Sequence, residues 1–232
     1  MDARFRRIGR PGSWWRAFAV LGCCGAFVLA AKPATTDTAS GKGLDPRLGP
    51  PFAQRDRPML GSDRAPVVVI EVASFKCSHC RAFHEQVFPR LREKYIETGL
   101  VQWVILNAAD DPSEEFTPVF PIARCALREG RYWDMLDVLF QAGGRSPSLQ
   151  SDLVAKHRPM DRAELESCRR DRAVRLEVAA DFAEYRTLQV RGTPTFLLRK
   201  LGSDGSRTTA TIAGSQSLEH FQHVLEELLK AP

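Results

Sequence analysis

The stretch from residue 67 to residue 80, VVVIEVASFKCSHC, decides the fold of this chain. Its first part, residues 67–75, is an apolar and largely β-branched run, which is typical of a buried central strand. From residue 78 to residue 98 apolar side chains recur every four positions, which predicts a helix, and Pro89 is placed to kink it. The stretch therefore predicts a strand that runs directly into a helix, with Cys77-Ser78-His79-Cys80 at the junction.

The rest of the chain extends this pattern into an α/β domain. Residues 100–106 predict a second strand, and residues 107–187 show helical periodicity without a strong strand signal. Residues 195–198 and 208–212 flank a Gly-Ser-Asp-Gly segment, which predicts a β-hairpin with a longer loop. Ser217 then precedes a final amphipathic helix as its N-cap. We therefore expect an α/β fold with a helical insertion at about 107–187.

Length and charge exclude several classes of protein. The 232 residues, 44% of them hydrophobic, suffice for one well-buried core and not for two large domains. The net charge is +5, but residues 1–31 carry five arginines against Asp2. Removing these from the 33 basic and 28 acidic residues leaves a near-balance of 28 and 27. The expected folded part therefore lacks the basic surface that a nucleic acid requires.

The N-terminal segment is typical of an export signal. In residues 1–31 an arginine-rich start is followed by uncharged, mostly apolar residues, a stretch shorter than the ~20 needed to span a bilayer. Cleavage is the first interpretation, with retention as an anchor or lipidation at Cys23 as alternatives. Residues 32–60 are rich in Pro, Gly, Ala and Thr and predict a flexible linker, so we expect the domain at 61–232 in a periplasmic or otherwise extracytoplasmic location.

The two cysteines at the helix start point to redox chemistry. Free N–H groups and the positive end of the helix dipole stabilise a thiolate at Cys77, the predicted nucleophile. Cys80, one turn later, can resolve a mixed disulfide. A zinc site with His84 as third ligand is an alternative, but no fourth ligand is evident, so no metal is expected. Covalent haem needs a histidine where Arg81 stands, and no cofactor is expected.

These residues carry a resemblance to a known family. Cys77-Ser78-His79-Cys80 after an apolar strand and Gly192-Thr193-Pro194-Thr195-Phe196 before a late strand resemble the DsbA-type thiol-disulfide oxidoreductases of the thioredoxin superfamily. The segments 83–89 and 95–99 add to the likeness, which covers about residues 55–230. The resemblance implies a thioredoxin fold with an inserted helical subdomain.

The resemblance also implies roles for single residues. Pro194 would be cis, with the backbone of Thr193 beside the Cys77 sulfur to pair with an extended substrate; the alternative is a proline that only starts a strand. Glu71 matches the buried acid that handles the proton of the inner cysteine, and its apolar strand independently favours a protonated carboxyl. The alternative is that Glu71 reaches solvent at a sheet edge. His79 would tune the redox potential through its positive charge.

Two further cysteines lie in the expected helical insertion. In an exported protein we expect Cys125 and Cys168 to form a second, non-catalytic disulfide. It would close a loop of 44 residues and contribute about 4 kcal/mol in the chain-entropy model. Two free buried thiols are the alternative.

The expected function is that of a monomeric dithiol oxidase that introduces disulfides into folding exported proteins. The family implies a membrane quinone reductase of the DsbB or vitamin K epoxide reductase-like type as the partner that reoxidises Cys77 and Cys80. The threonine before Pro194 also resembles reductases and isomerases, although residues 32–60 cannot provide the association domain of a dimeric isomerase. A peptide-binding chaperone and a Cu(I) delivery protein are alternatives from other classes.

Overall fold

The structure is a computed structural model that describes residues 56–109, 117–156, 161–201 and 207–231. The expected signal peptide at residues 1–31, most of the expected linker and the turn of the expected hairpin lie outside these ranges, as do two short parts of the helical insertion.

A five-stranded sheet forms the centre of the domain. The strands are β1 (Met59–Leu60), β2 (Val67–Ala73), β3 (Val101–Asn107), β4 (Thr195–Leu201) and β5 (Arg207–Ala213). Their order across the sheet is β1-β3-β2-β4-β5. Only β2 and β3 run parallel, and each of the other neighbouring pairs is antiparallel. Every residue of β2 is buried, because this strand has neighbours on both sides and helices cover the sheet.

The helix that follows β2 is divided at its proline. Helix α1 (Ser78–Gln86) ends before Pro89, the short helix α2 (Phe88–Leu91) begins around it, and a π-helical turn covers Arg92–Ile96. A proline has no backbone N–H and clashes with the preceding turn, so it is accepted in the first turn of a helix and not in its interior.

The expected helical insertion is present between β3 and β4. Its helices are α3 (Val119–Arg128), α4 (Tyr132–Gly143), α5 (Pro147–Lys156), α6 (Arg162–Arg170) and α7 (Arg172–Thr187). The last helix, α8 (Leu218–Lys230), begins at its predicted N-cap Ser217. The order of elements confirms the α/β class and the thioredoxin fold with inserted helices. None of the helices in the described ranges is long and apolar enough to cross a membrane.

The core lies between the sheet and the helices, and aromatic rings dominate it next to α1. Phe83 of α1 has its ring centroid 4.7 Å from that of Phe196 on β4 and 5.1 Å from that of Phe221 on α8. It also stacks at 6.0 Å on Trp103 of β3. The helix that carries the cysteines is therefore held against the sheet by a rigid, well-packed surface.

The C-terminal end of the predicted linker belongs to the fold, which corrects the expected boundary at residue 60. Strand β1 pairs with β3, and Arg57 is 1% exposed. Its guanidinium contacts Asp181 at 3.5 Å and bonds to Glu184, both on α7. A strand of two residues is too short to show an alternation of apolar and polar residues. An arginine is normally expected to be exposed to solvent, so nothing in the sequence indicates that Arg57 is buried. The folded part therefore includes residues 57–60.

Candidate active site

Cys77 caps helix α1. It follows the loop after β2, and its own N–H donates to the carbonyl of Ser74 at 3.1 Å. The Cys77 Sγ accepts the backbone N–H of Cys80 at 3.3 Å. The sulfur thus occupies the place that a serine or aspartate oxygen takes in an ordinary N-cap, at the positive end of the helix.

This environment favours the thiolate of Cys77. Its pKa is lowered to about 5, first because the Cys80 side chain donates a hydrogen bond to it. The Thr193 side chain and the backbone N–H groups of Cys80 and His79 act in the same direction, while partial burial opposes them. At neutral pH the residue is therefore a thiolate, the nucleophilic form of cysteine.

Cys80 has the opposite character. It is fully buried, and its pKa is raised, first because it donates its proton to the Cys77 sulfur and then because of burial and the negative charges of Glu71 and Cys77. The pair is thus a half-buried thiolate next to a fully buried, protonated thiol. That asymmetry is what an attacking cysteine and a resolving cysteine require.

The loop before β4 lies directly against Cys77. The peptide bond between Thr193 and Pro194 is cis. The carbonyl oxygen of Thr193 is 3.3 Å from the Cys77 Sγ, and the carbonyl of Pro194 accepts the N–H of Gly214 at 2.8 Å. The chain just beyond β5 therefore fixes the loop in place, and the backbone of Thr193 flanks the reactive sulfur.

Glu71 lies within the sheet on the central strand β2 and is fully buried. The expected alternative, in which it reaches solvent at a sheet edge, is wrong because β3 and β4 enclose this strand. Its carboxylate accepts the indole N–H of Trp103 at 2.8 Å. The Nε2 atom of His84 lies 2.9 and 3.0 Å from its two oxygens. Two side-chain partners make the burial of this acid tolerable.

His84 and Trp103 belong to the site and were not assigned this role from the sequence. The sequence indicates His84 only as a possible zinc ligand, whereas in the structure its Nε2 is bonded to Glu71. Its spacing of four residues from Cys80 was the available signal, since it places both side chains on the same face of α1. In the ranges that the structure describes, no three His, Cys, Asp or Glu side chains are grouped to hold a metal ion.

His79 and the second cysteine pair stand apart from this arrangement. The side chain of His79 is exposed, and His79 lowers the pKa of Cys77 through its backbone N–H. Cys125 on α3 and Cys168 on α6 are joined in a disulfide with a Cα–Cα distance of 6.1 Å. This bond ties two helices of the insertion together, and Cys77 and Cys80 are the free cysteines of the described ranges.

Known proteins resemble this chain in sequence and in fold. The thioredoxin family model matches residues 54–225, most of the chain. Disulfide bond formation protein D of Bacillus subtilis is 35% identical over 66 residues, which are 28% of this chain and 29% of that protein. The matches to the first curated relatives span less than a third of their length.

Solved structures extend the likeness to most of the domain. Alpha-DsbA1 of Wolbachia pipientis superposes with a TM-score of 0.64 at 23% identity, over 75% of this chain and 90% of that one. Oxidised BdbD of Bacillus subtilis superposes with a TM-score of 0.61 at 21% identity, over 75% and 94%. Because the family model covers most of the sequence and the DsbA structures share its sheet and inserted helices, this protein belongs to the thioredoxin family, with the DsbA-like form of the fold.

Proposed function

We propose that this chain is a thiol-disulfide oxidoreductase that acts as a dithiol oxidase on folding exported proteins. The observation that carries the proposal is the stabilised thiolate of Cys77, with a pKa of about 5, in front of the protonated Cys80. A stabilised thiolate favours the reduced form of the pair, so the oxidised form tends to accept electrons.

The reaction consists of two exchanges of a disulfide bond. A substrate thiolate attacks the Cys77 sulfur of the Cys77–Cys80 disulfide, and Cys80 leaves and takes up a proton. A second substrate thiolate then attacks the substrate sulfur of this mixed disulfide, and Cys77 leaves as a thiolate. The substrate loses two electrons and gains a disulfide, while the pair becomes a thiolate and a thiol. The low pKa of Cys77 makes it a good leaving group in the second exchange.

The loop before β4 supports a role in holding the substrate. The carbonyl of Thr193 flanks the Cys77 sulfur at 3.3 Å, and the Gly214 N–H holds the next carbonyl, that of Pro194, at 2.8 Å. We propose that an extended substrate segment pairs with this backbone, as in strand addition at a sheet edge. This arrangement needs no defined side chain in the substrate, which suits an enzyme that acts on many folding proteins.

The partner and location follow from the same proposal. We propose an extracytoplasmic location and reoxidation by a membrane quinone reductase of the DsbB or vitamin K epoxide reductase-like type, with the protein acting as a monomer. The relative from Bacillus subtilis named for disulfide bond formation supports this direction of electron flow. The arginine-rich and then apolar segment at residues 1–31 supports export.

The reduction potential of the pair tests the direction. The purified protein is equilibrated with glutathione buffers, and the oxidised fraction is counted by alkylation and mass measurement. A potential near ~−120 mV supports an oxidase, and a potential near ~−270 mV contradicts it and indicates a reductase. Oxidative refolding of a reduced substrate protein, with Cys77→Ser as the control, separates catalysis from chaperone binding. If Cys77→Ser keeps full activity, the exchange mechanism is wrong.

A further inference from the structure

A surface groove with a volume of about 390 Å³ lies between helices α1 and α2 on one side and α4 on the other. Its lining combines a floor of aromatic rings with a charged rim. The rings are those of His84, Phe88, Trp133 and Phe140, and the charged side chains are Arg81, Glu85, Arg92 and Asp137. This helix groove reaches the residue that holds Glu71 and is separate from the face on which Thr193 flanks Cys77.

His84 connects the buried acid to the helix groove. Its Nε2 bonds to Glu71, and its ring is stacked on Phe140 with centroids 4.5 Å apart. Its second nitrogen, Nδ1, is covered and has no hydrogen-bond partner among the described residues. A buried ring nitrogen without a partner is exceptional and needs an explanation.

The chemistry of the pair requires a route for a proton. Cys80 has to lose its proton before it can attack the mixed disulfide at Cys77, yet it is fully buried and its negative neighbour Glu71 is buried as well. Two side chains are bonded to the Glu71 carboxylate. The indole of Trp103 is a donor only and cannot accept a proton. An imidazole can gain a proton at one nitrogen and lose one at the other.

We propose that His84 is the proton-exchange partner of Glu71, so that the proton of Cys80 leaves through Glu71 and His84 into the helix groove and not past Cys77. His84 is a positioning residue in this scheme, since it acts through Glu71, and the scheme rests on the proposed function. In this scheme the unpartnered Nδ1 is the atom from which the proton passes to water in the helix groove.

The step balances in protons and electrons. Glu71 takes the proton from Cys80, a proton passes from Glu71 to Nε2 of His84, and the Nδ1–H of His84 goes to water in the groove. The electron pair of Cys80 forms the bond to Cys77, and the partner sulfur leaves as a thiolate. Because Nδ1 is covered, the transfer needs a brief displacement of the rings over it.

Several charged groups surround His84 and belong in its pH dependence. Glu71 faces it from β2, and the charged rim residues of the helix groove lie on α1 itself and on two neighbouring elements. These are Arg81 and Glu85 of α1, Arg92 of the π-helical turn and Asp137 of α4. The rim thus carries two positive and two negative charges.

Ellman's reagent separates the two sulfur steps. One equivalent added to the reduced protein releases a first nitrothiolate when Cys77 attacks, and a second when Cys80 closes the disulfide. Stopped-flow absorbance from pH 5 to pH 9 records both phases. We expect His84→Gln, which can still donate to Glu71, to keep the first phase within about twofold and to slow the second at least tenfold. The pH dependence of the second phase should change as well.

Rescue and a matched control distinguish a proton route from a packing role. In His84→Ala, added imidazole should restore the second phase, because it can enter through the groove and replace the missing ring. His220→Gln, which changes an exposed histidine of α8, should leave both phases unchanged. If His84→Gln closes the disulfide at the wild-type rate and with its pH profile, the proposal is wrong.

The remaining outcomes are also decisive. A second phase that is slowed equally at every pH and is not rescued by imidazole would mean that His84 only packs against Glu71, which overturns the proposal. Loss of the fast first phase in the unmodified protein would instead contradict the activated Cys77 and hence the proposed function. Circular dichroism of each variant checks that the fold is retained, and His84→Gln remains informative if His84→Ala does not fold.

Discussion

The reduction potential of the Cys77/Cys80 pair should depend on pH in two regimes that meet near pH 5. Above that pH the reduced protein carries the Cys77 thiolate and only Cys80 takes up a proton on reduction. One proton for two electrons lowers the potential by about 30 mV per pH unit. Below pH 5 both sulfurs are protonated on reduction, and the slope rises to about 59 mV per pH unit.

The size of the effect follows from the pKa of Cys77. A pKa of about 5 in place of an ordinary value of 9.0 stabilises the reduced form at pH 7 by up to about 100-fold, or about 2.7 kcal/mol. This corresponds to about 60 mV for two electrons. The value is an upper limit, because Cys77 is only half-buried and solvent screens the interactions around it. The stabilisation is present above pH 5 and is lost as the pH falls through the pKa.

Two measurements check this prediction. Glutathione equilibration between pH 4 and pH 8 gives the slopes, and thiolate absorbance at about 240 nm in the reduced protein gives the midpoint of the Cys77 titration. Cys77→Ser should show no absorbance change in this range, because it lacks the thiol with the lowered pKa, while burial and the charge of Glu71 still raise the pKa of Cys80. A single slope of about 59 mV over the whole range, or an absorbance midpoint near 9, would refute the reasoning.

Two stability predictions follow from the packing around the site. In Gly143→Ala the new Cβ would lie 2.0 Å from the carbonyl oxygen of Phe75, so we expect a loss of about 1–3 kcal/mol in urea unfolding. Gly144→Ala, where nothing lies within 4 Å, should change stability by less than about 0.5 kcal/mol; equal losses in both variants would contradict the clash. Replacing Cys125 and Cys168 together by alanine should lower the free energy of unfolding by about 2–4 kcal/mol and leave the reaction of Cys77 with Ellman's reagent unchanged. An unchanged unfolding midpoint would show that the disulfide does not stabilise the fold.

The parts of the fold that depend on neighbouring residues could be predicted from the sequence. The apolar run of β2, the helix after it and the cap at Ser217 are local signals, and each appears where it was expected. The break at Pro89 also follows from one residue, since proline cannot continue a helix interior. Cys77 as N-cap combines two such signals, a strand end and a helix start.

The surroundings of Glu71 could be predicted only in part. The sequence indicates an acid in a buried strand, but its partners come from β3 and from the far turn of α1. The contact with Trp103 depends on how β2 and β3 are aligned, because a shift of one residue would turn the indole to the other face of the sheet. Neither the alignment of the strands nor the rotation of α1 is encoded in a short motif.

The edge strand β1 could not be predicted from the sequence, for a related reason. Strand β1 has two residues and gains its order from pairing with β3 and from the indole N–H of Trp133, which donates to the carbonyl of Met59 at 2.9 Å. Strand β1 is too short for its contacts with these distant segments to produce a periodic pattern of apolar residues in its sequence. Composition alone therefore assigned these residues to the linker.

The position of Arg57 and β1 determines where the domain can be truncated. A chain that starts at residue 61 would lose the guanidinium that bonds to Glu184, and a buried carboxylate deprived of such a partner is costly. It would also uncover the backbone of β3 at Trp103 and Val104, which β1 otherwise pairs. An uncovered strand edge is a template for other chains, so the shortened domain should self-associate, whereas one that begins at residue 56 keeps this part of β3 paired with β1.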